Sequence, residues 1–598
     1  MRQSTITGRD MIHKINHWLI VVPKPHLFPA SYLRGTISDK VKRPLFVAIL
    51  SAATLTAGAQ TVTRGPYLQF PTQTSMKVKW RTDVATPTRA NWGSSLSGVM
   101  DNMVEDLTPT TDHTVTITGL EPYTEYHYAI GDGTTVLAGA DAQHRFRTLP
   151  VAGTVQPVNV WAIGDFGKGN TEQMAVKNAY LNHIGDNMPD TWIWLGDNAY
   201  DDGTDEEFQN KVFGTEYGYA EMFRRVPFLP CPGNHDYNSV APVLSNISPT
   251  QHSGPYYDIV DVPTNGEIGG VPSGLEAFYS YDIGNVHFMS LNSEIGAVFG
   301  GANDWTGVSP FSSFNGSPFT NWLHADLQAN QQPWVVVYFH QPPHTDGSHD
   351  SDTFWEVYMK AMRENIMPIL EQYGVDLVIT GHSHVYERSM LVHGFYDTPD
   401  GYNAAQHLVD GSSGRMADGT PYRKYTDGPQ PNRGTVYVVQ GNSGSKDDDA
   451  QLQHPIMYFG HGCATCVGSS HIRVNGDTLN LKYIAAEGTV MDDFSIIKGE
   501  YPEGVDVQRD PIASFTVSPN PVRGMAQIDL NLRQDIDATI ELIDLNGRLL
   551  KVVHNGNLKA GQQRLQFDSE ALGLASGAFL VRLVSDEVRT VSRLIRTR

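Results

Sequence analysis

Cysteine is scarce in this chain of 598 residues, which contains only Cys231, Cys463 and Cys466. A scaffold held together by several disulfide bonds is therefore excluded, and a zinc site of four thiolates lacks its second cysteine pair. Cys463 and Cys466 have the spacing of a local disulfide staple, of a redox pair or of two reduced thiols. We interpret Cys231 as a small buried residue.

Positive charge is also scarce, because 43 Lys and Arg residues face 65 Asp and Glu residues and leave a formal net charge of −22. This balance argues against a general binder of nucleic acid or of anionic membranes. It leaves room for a local positive site, since bound metal ions add charge that composition does not count.

Long apolar runs are lacking as well, and the apolar run at 44–56 is too short to span a bilayer as a stable anchor. A basic segment at 40–43 precedes this run, and Ala57-Gly58-Ala59 follows it. This order is typical of a signal peptide and predicts cleavage after Ala59. Because 39 residues precede the pattern, either the start of the chain lies too far upstream or the segment is an internal anchor. We favour the first and exclude residues 1–59 from the fold prediction.

The chain is too long for one compact core, which indicates a multidomain protein. Residues 60–150 alternate apolar and polar side chains, as at 76–81 and 113–117, and predict about seven short strands in an all-β sandwich. This segment resembles a fibronectin type III-like domain, and the resemblance includes Trp80 and Tyr126. Nothing in it suggests catalysis.

Residues 155–500 have a different pattern, in which short apolar runs end abruptly in charged or small residues. This pattern predicts an α+β domain that presents ligands at one rim of its sheets. A helix is predicted at 354–372, and the Gly- and Pro-rich loops at 240–275 and 395–435 are long enough to have a function.

Residues 512–598 again predict strands, and composition alone indicates a small all-β sandwich. The segment closely resembles the C-terminal sorting domain of the type IX secretion system. That resemblance implies a Gram-negative bacterium of the Bacteroidetes type and export through the periplasm to the medium or the cell surface. The type IX secretion machinery would then be a partner, and the sorting domain would be removed.

Five polar clusters follow apolar runs of the central region and offer hard or borderline metal ligands. They are Gly164-Asp165-Phe166-Gly167, Gly196-Asp197-Asn198-Ala199-Tyr200, Gly233-Asn234-His235-Asp236, His340 and Gly381-His382-Ser383-His384. Two neighbouring ions need a ligand that reaches both, as the two oxygens of a carboxylate can. Carboxylate, amide oxygen and imidazole together suit iron, zinc or manganese better than calcium. A glycine before a ligand lets the backbone approach the metal closely.

Each cluster alone is a weak sign of a metal site, since a lone His340 is most often a hydrogen-bonded core residue. In this order, however, the motifs GDxG, GDxxY, GNH(D/E), a strand ending in His, and GHxHxYER resemble the purple acid phosphatases. These form a branch of the calcineurin-like metallophosphoesterases, and the resemblance covers residues 62–498. It implies a catalytic domain of two packed β-sheets flanked by helices. Tyr200 indicates the branch, because relatives with protein-phosphatase chemistry have no phenolate ligand.

The resemblance also implies a role for each ligand position. It implies a ferric ion on Asp165, Tyr200 and His384, a divalent ion (Fe2+, Zn2+ or Mn2+) on Asn234, His340 and His382, and Asp197 as the bridge between them. A phenolate suits a hard trivalent ion, which acidifies bound water more than a divalent ion does. The expected nucleophile is therefore a metal-bound hydroxide that is available at acidic pH.

Two further histidines match catalytic positions of the family. His235 would contact phosphate oxygens or share in proton transfer, and His349, nine residues after His340, would protonate the leaving alkoxide. The chain departs from plant relatives at Asp350, where they carry a second histidine, and a carboxylate there should repel phosphate unless it is protonated or turned away. His344, in the same loop, is an alternative to His349 or a solvent-exposed side chain.

The sequence thus predicts a secreted dinuclear-metal acid phosphatase that hydrolyses phosphate monoesters of small molecules. A phosphodiesterase or nucleotide hydrolase on the same metal core is one alternative, since loops that contact the leaving group separate these activities. A catalytically decayed secreted binding protein is another, and it is disfavoured because every ligand position carries a competent residue.

Overall fold

A computed structural model describes residues 60–239, 253–294, 317–447, 452–462, 466–502, 512–545, 547–585 and 588–597. The predicted signal peptide and Cys463 lie outside these residues. Cys466 is disulfide-bonded, and Cys231 is a buried free thiol, as expected for a small core residue. Within the described residues, no helix combines the length and the apolar character that a membrane crossing requires.

The first domain is an all-β sandwich. Its strands are β1 (Val62–Gln69), β2 (Ser75–Gly93), β3 (Asn102–Thr118), β4 (Glu125–Gly131), β5 (Val136–Gly139) and β6 (Arg145–Arg147). The first part of β2 pairs with β1 and the end of β3, whereas its last part pairs with β4 and the start of β3. Alternate residues Met76, Val78 and Trp80 therefore face inwards and pack in one core with Tyr128 and Phe146.

Two details of this domain refine the prediction. Six strands, rather than seven, lie between residues 60 and 150, all of which the structure describes, because β2 and β3 are long and pair with each other along most of their length. The Tyr126 hydroxyl accepts a hydrogen bond from the backbone N–H of Glu121 at 2.9 Å. This contact has the form of the tyrosine corner of immunoglobulin-like sandwiches.

The central domain contains sixteen strands among its described residues. They are β7 (Val158–Ile163), β8 (Thr191–Leu195), β9 (Phe228–Cys231), β10 (Tyr279–Ile283), β11 (Val286–Ser290), β12 (Trp334–Tyr338), β13 (Leu377–Thr380), β14 (Tyr386–Ser389), β15 (Leu391–Val392), β16 (Leu408–Asp410), β17 (Tyr422–Tyr425), β18 (Val436–Gln440), β19 (Met457–His461), β20 (Gly468–Asn475), β21 (Thr478–Ala485) and β22 (Val490–Gly499). One seven-stranded sheet has the order β17-β22-β21-β20-β7-β8-β9, and the other has the order β10-β11-β12-β13-β18-β14-β19. Strands β7, β8 and β9 are parallel, as are β11, β12, β13 and β18.

The two sheets pack face to face. In β12, Val336 and Tyr338 belong to the core between the sheets, whereas Val335 and Val337 pack on the other side with helical residues such as Leu323. This division follows the alternation of side chains along a strand that is buried on both faces. Together with the two flanking sandwiches, it confirms the predicted fold class.

Helical segments cover the outer faces of the sheets. They are Thr171–Ile184, Asp205–Glu207, Phe208–Val212, Ala220–Phe223, Pro255–Ile259, Pro318–Ala329, Val357–Ala361, Met362–Ile366, Met367–Gln372 and Ala404–His407. Asn170 caps the first by accepting a hydrogen bond from the N–H of Gln173. Ser317 caps Pro318–Ala329 through the N–H of Thr320. The predicted helix at 354–372 begins only at Val357, because the preceding residues form a turn.

A buried histidine joins one of these helices to its sheet. His287 on β11 lies between two carboxylates, with Nδ1 2.8 Å from Asp282 Oδ1 and Nε2 2.8 Å from Asp326 Oδ2 of the helix Pro318–Ala329. Burial lowers the pKa of His287, but the hydrogen bonds to the carboxylates outweigh burial and raise it to about 9. The charged imidazolium is therefore the native form at neutral pH.

The N-terminal sandwich contacts the segment that follows Tyr200. The Arg64 and Arg81 guanidinium groups form ion pairs with Asp205 at 2.9 and 2.7 Å. Glu207, in the next turn of this segment, contacts the loop that follows Tyr200. Its carboxylate accepts hydrogen bonds from the backbone N–H groups of Asp201 and Asp202. The sandwich thus holds the loop on which Tyr200 lies.

The last domain has its own core and seven strands among its described residues. They are β23 (Ile512–Ser518), β24 (Met525–Leu532), β25 (Ile536–Asp544), β26 (Leu549–Leu558), β27 (Gly561–Asp568), β28 (Gly577–Ser585) and β29 (Arg589–Arg596). Two antiparallel sheets, β23-β24-β27 and β26-β25-β28-β29, enclose side chains such as Ile528, Leu542 and Leu583. This core shares no residue with the cores of the other domains.

Candidate metal centre

The predicted ligands follow the carboxyl ends of five strands from both sheets of the central domain. Asp165 follows β7, Asp197 and Tyr200 follow β8, Asn234 follows β9, His340 follows β12, and His382 and His384 follow β13. The carboxyl ends of parallel strands lie at one edge of a sheet. The two sheets therefore bring these side chains together at a common rim.

The backbone at several ligands has an unusual conformation. Asp165, Asp197 and His382 have φ values of 57°, 52° and 66°, in the left-handed region that side chains other than glycine seldom adopt. Gly196 precedes Asp197 with φ 88°, and a Cβ at Gly196 would lie 2.5 Å from His340 Nδ1. The loops are therefore bent sharply so that ligands from different strands can meet, and such strain is typical of functional sites.

Tyr200 is the centre of the first group of ligands. Its buried hydroxyl oxygen lies within hydrogen-bond distance of Asp165 Oδ1 at 2.9 Å and of Asp197 Oδ2 at 3.0 Å, and it lies 3.4 Å from His384 Nε2. Burial, followed by the charges of Asp165 and Asp197, raises the pKa of Tyr200 well above its ordinary value. On the far side of the imidazole, His384 Nδ1 lies 3.0 Å from Asp447 Oδ2, which leaves Nε2 directed at the other ligands.

The second group of ligands surrounds His340. Its Nδ1 atom donates to the carbonyl of Leu195 at 2.9 Å, so the neutral ring presents the lone pair of Nε2. That atom lies 3.1 Å from Asn234 Oδ1, 3.3 Å from Asp197 Oδ1 and 3.1 Å from His382 Nδ1. The Asp197 carboxylate reaches both groups, one oxygen towards each.

The donor set fits a pair of metal ions. Carboxylate, amide and imidazole acceptors converge in a buried place, where they repel one another unless positive charge lies among them. Burial lowers the pKa of His340, but the charge and hydrogen bond of Asp197, together with the charges of Asp165 and Glu294, outweigh burial and raise it to about 10. The raised pKa shows that these surroundings favour a positive charge, which a cation bound by these atoms would supply.

His235 lies at the rim of the first group and remains partly exposed. Its ring is 4.4 Å from the ring of Tyr200, and its Nδ1 atom donates to the carbonyl of Asp201. This bond leaves Nε2 directed inwards, 3.8 Å from Asp197 Oδ2. His235 can therefore offer one ring nitrogen to a group bound between the ligands.

His349 lies beside the second group and is also partly exposed. Its ring centroid is 4.1 Å from that of His382, and its Nδ1 atom lies 2.8 Å from Glu356 Oε1. The other oxygen of Glu356 is 3.7 Å from His382 Nε2. Burial raises the pKa of Glu356, but its contacts with the two histidines outweigh burial and lower it to about 2. A carboxylate that stays ionised thus holds His349 in place.

The structure corrects the alternative offered for the same loop. His344 is fully buried, neither a candidate acid nor solvent-exposed, because it stacks on Phe395 at 5.2 Å and packs against Tyr437. Sequence reasoning also missed three side chains at the site. They are Glu356, Asp447 and Lys168, whose Nζ lies 3.3 Å from the centroid of the Tyr200 ring. Lys168 directly follows the cluster Gly164-Asp165-Phe166-Gly167, whereas Glu356 and Asp447 come from loops outside the strand-end motifs. Only the charge of each side chain within a site loop could have indicated it.

Two packed sheets with the predicted metal ligands at their common rim are typical of a metallophosphoesterase domain. Three family models match the chain in agreement with this class. They are "Calcineurin-like phosphoesterase" over residues 158–386, "Purple acid Phosphatase, N-terminal domain" over 63–148, and "Secretion system C-terminal sorting domain" over 516–597. The chain therefore carries a calcineurin-like metallophosphoesterase domain, with a purple acid phosphatase N-terminal domain before it and a sorting domain after it.

Similar proteins agree with this assignment. Purple acid phosphatase 15 of Arabidopsis thaliana is 27% identical over 313 residues, which are 48% of this chain and 51% of that protein. Acid phosphatase type 7 of Danio rerio is 24% identical over 471 residues, 73% of this chain and 91% of that protein. The chain spans 51% and 60% of the length of Arabidopsis purple acid phosphatases 15 and 23.

A solved structure shares the fold. The purple acid phosphatase PPD1 from yellow lupin seeds superposes with a TM-score of 0.52 at 18% identity, covering 73% of this chain and 74% of that one. The predicted resemblance to purple acid phosphatases is thereby confirmed at the level of the domains and the fold.

Proposed function

We propose that this protein is an exported acid phosphatase that hydrolyses phosphate monoesters with two metal ions. The observation that carries the proposal is the position of the Tyr200 hydroxyl, 2.9 and 3.0 Å from the carboxylates of Asp165 and Asp197. A phenol so placed is a ligand for a hard trivalent ion. The names of the similar plant and animal proteins support the same activity.

Each group of ligands would hold one ion. The first group, Asp165, Tyr200 and His384, suits Fe3+, and the second group, Asn234, His340 and His382, suits Fe2+, Zn2+ or Mn2+, with Asp197 shared by both. When bound, the two ions would acidify water to supply the nucleophile and would neutralise the charge of the phosphate group.

The remaining residues act on the substrate itself. His235 presents Nε2 towards the ligands and would donate a hydrogen bond to a phosphate oxygen. His349 has Nδ1 engaged by Glu356, so Nε2 is free to donate a proton to the leaving oxygen. The Glu356 carboxylate stabilises the protonated ring before that transfer, and it orients the ring as well.

The sorting domain supports the other half of the proposal. A protein with this C-terminal domain would cross the periplasm of a Gram-negative bacterium and reach the cell surface or the medium. Phosphorylated small molecules outside the cell would then be its substrates, and the type IX secretion machinery would be its partner in export.

Metal analysis and kinetics on the purified full chain test the activity. We expect bound iron together with a second metal, a visible absorption band, and release of phosphate from p-nitrophenyl phosphate that is fastest at acidic pH. Turnover of bis(p-nitrophenyl) phosphate in the same assay separates a monoesterase from a diesterase. An iron-loaded protein without a visible band would contradict the tyrosine ligand, and a metal-loaded protein without phosphate release would contradict the activity.

Substitution of shared and second-group ligands tests the two-metal arrangement. We expect Asp197→Ala and His340→Ala to abolish turnover, since each removes an atom from the centre of the acceptor set. His324→Ala serves as the control, because His324 lies on the helix Pro318–Ala329. Among the described residues, the hydrogen-bond partner of its side chain is the Tyr373 hydroxyl. Activity like that of the unmodified protein in either ligand variant would refute the arrangement.

A further inference from the structure

Two neighbouring aromatic side chains stand exposed in the loop that carries His349. Phe354 and Trp355 are 76% and 82% exposed, and their rings meet edge to face with centroids 5.3 Å apart. Single exposed apolar residues are common on protein surfaces, but a Phe-Trp pair offers a continuous aromatic surface with no burial to stabilise it. Such a surface at a functional rim indicates contact with a ligand.

The pair is next in the chain to a residue of the candidate site. Trp355 is followed by Glu356, whose carboxylate contacts His349 at 2.8 Å and lies 3.7 Å from His382. Consecutive Cα atoms are about 3.8 Å apart. The backbone of the pair therefore lies close to the side of the site where His349 would protonate the leaving oxygen.

The turn that carries the pair is fixed at both ends. The N–H of Thr353 donates to the carbonyl of Asp350 at 3.1 Å, and the N–H of Val357 donates to the carbonyl of Trp355 at 2.9 Å. The buried Arg363 guanidinium holds Asp352 at 2.8 Å. A ligand that stacks on this surface consequently meets groups whose backbone is already ordered, which lowers the entropic cost of binding.

Carboxylates surround the same rim. Asp350 adjoins His349, Asp447 contacts His384, and Asp201 adjoins Tyr200 and pairs with Lys168 at 3.8 Å. Asp447 and Asp201 thus have basic partners, whereas Asp350, beside His349, would repel a further negative charge on the leaving group.

We propose that Phe354 and Trp355 form the leaving-group subsite and select phosphate monoesters of flat, uncharged ring systems, such as aryl or nucleoside monophosphates. This inference rests on the proposed phosphatase activity. The phosphate lies between the metal ligands, and the ring of the leaving group stacks on the aromatic pair next to His349.

Kinetics with paired substrates test the subsite on the full-length, metal-loaded protein. In the double variant Phe354→Ala/Trp355→Ala we expect kcat/KM to fall about tenfold for 1-naphthyl phosphate and adenosine 5′-monophosphate. For glycerol 2-phosphate we expect a change of less than about twofold, since its leaving group has no ring to stack. Leu107→Ala is the control, because Leu107 is 71% exposed on β3 of the N-terminal sandwich.

Three outcomes would overturn the subsite. An equal fall in kcat/KM for all three substrates would show that the pair supports the loop. An unchanged kcat/KM for all of them would show that the leaving group does not reach the pair. A dimer that dissociates in the double variant with unchanged kinetics would assign the pair to a second copy of the chain. A fall in kcat/KM for the nucleotide alone, or for the aryl ester alone, would narrow the class of leaving group and support the subsite.

A binding measurement separates the subsite from the activity. Calorimetry of the metal-loaded protein should give tighter binding of phenylphosphonate than of methylphosphonate, and the double variant should lose that difference. If the protein releases no phosphate from any substrate, the proposed activity fails, and the phosphonate pair still decides the subsite. Equal affinity for the two phosphonates in the unmodified protein would refute it.

Discussion

Tyr200 places its hydroxyl between the carboxylates of Asp165 and Asp197, so its removal should alter one metal position more than the other. We predict that Tyr200→Phe loses the visible absorption band and retains part of the bound metal, because the remaining acceptors of both groups stay in place. Metal analysis and the visible spectrum measure both effects. In the control Tyr281→Phe, which removes a buried hydroxyl beside Tyr338, the band should remain. A band that survives Tyr200→Phe would exclude phenolate ligation.

Glu356 acts on His349 through a hydrogen bond rather than by touching the substrate. We predict that Glu356→Gln lowers kcat about tenfold with little change in KM. The physical reason is that a neutral amide no longer orients the imidazole through a charge-assisted hydrogen bond. Separate values of kcat and KM distinguish this role from a purely structural one.

Glu364→Gln is the matched control for that measurement. Glu364 lies in the helical segment Met362–Ile366, where it pairs at the surface with Lys360 at 3.6 Å. Its loss should leave kcat and KM unchanged. A Glu356→Gln variant in which KM rises as much as kcat falls would point to distortion of the loop instead.

At the scale of single residues, the sequence predicted those site residues that belong to motifs at strand ends. The seven expected ligand side chains come together in two groups because each follows a strand whose carboxyl end lies at the common rim. Glu356 and Asp447 could not be predicted in the same way, since their loops have no periodicity and no motif. Their roles depend on how the loops fold back onto His349 and His384.

At the scale of elements, His287 fastens the helix Pro318–Ala329 to β11 through its two carboxylate partners. Its pKa of about 9 in the folded protein exceeds the value of about 6.5 in an unfolded chain. The stabilisation is therefore complete below about pH 6.5 and is lost as the pH rises through about 9. We predict a loss of about 3 kcal/mol of unfolding free energy over that interval.

Denaturant unfolding at several pH values, with metal in excess, measures this loss. His287→Gln should be less stable than the unmodified protein below pH 6.5, and its stability should vary less over the same interval. His324→Ala, on the same helix, should keep the pH dependence of the unmodified protein. A His287→Gln variant with an unchanged pH dependence would show that other groups cause it.

Element boundaries were harder to predict than the elements themselves. The apolar runs predicted β7, β8, β12 and β13, because buried parallel strands are almost continuously apolar. The helix predicted to start at residue 354 starts three residues later, at Val357, so the predicted start was wrong. Phe354 and Trp355 precede a helical sequence but lie in a turn. Tertiary contacts of Glu356 override the local preference there.

At the scale of the whole molecule, the C-terminal domain has a core of its own. We predict that deletion of residues 512–598 leaves the protein in the periplasm, while extracts retain the phosphatase activity of the full chain. Cell fractionation with immunodetection and a phosphate-release assay measure both. Export of the shortened chain to the medium would contradict the sorting role, and loss of activity would show that the catalytic domain depends on the sandwich.

The fold class of the domains was predictable from composition and periodicity, and it is confirmed. The alternation of apolar and polar residues in β2 predicts a strand that is buried on one face, and the apolar runs of the central region predict strands that are buried on both faces. Both kinds of strand are present. The contacts of the N-terminal sandwich with the central domain were not predictable. They depend on single charged residues such as Arg64 and Arg81, whose partner is distant in the sequence.

Those contacts form a physical connection between the sandwich and the candidate metal centre. Arg64 and Arg81 hold Asp205, and Glu207 on the same turn holds the backbone after Tyr200. If an intact sandwich raises metal affinity through this turn, thermodynamic reciprocity requires that metal loading stabilises the sandwich by the same factor.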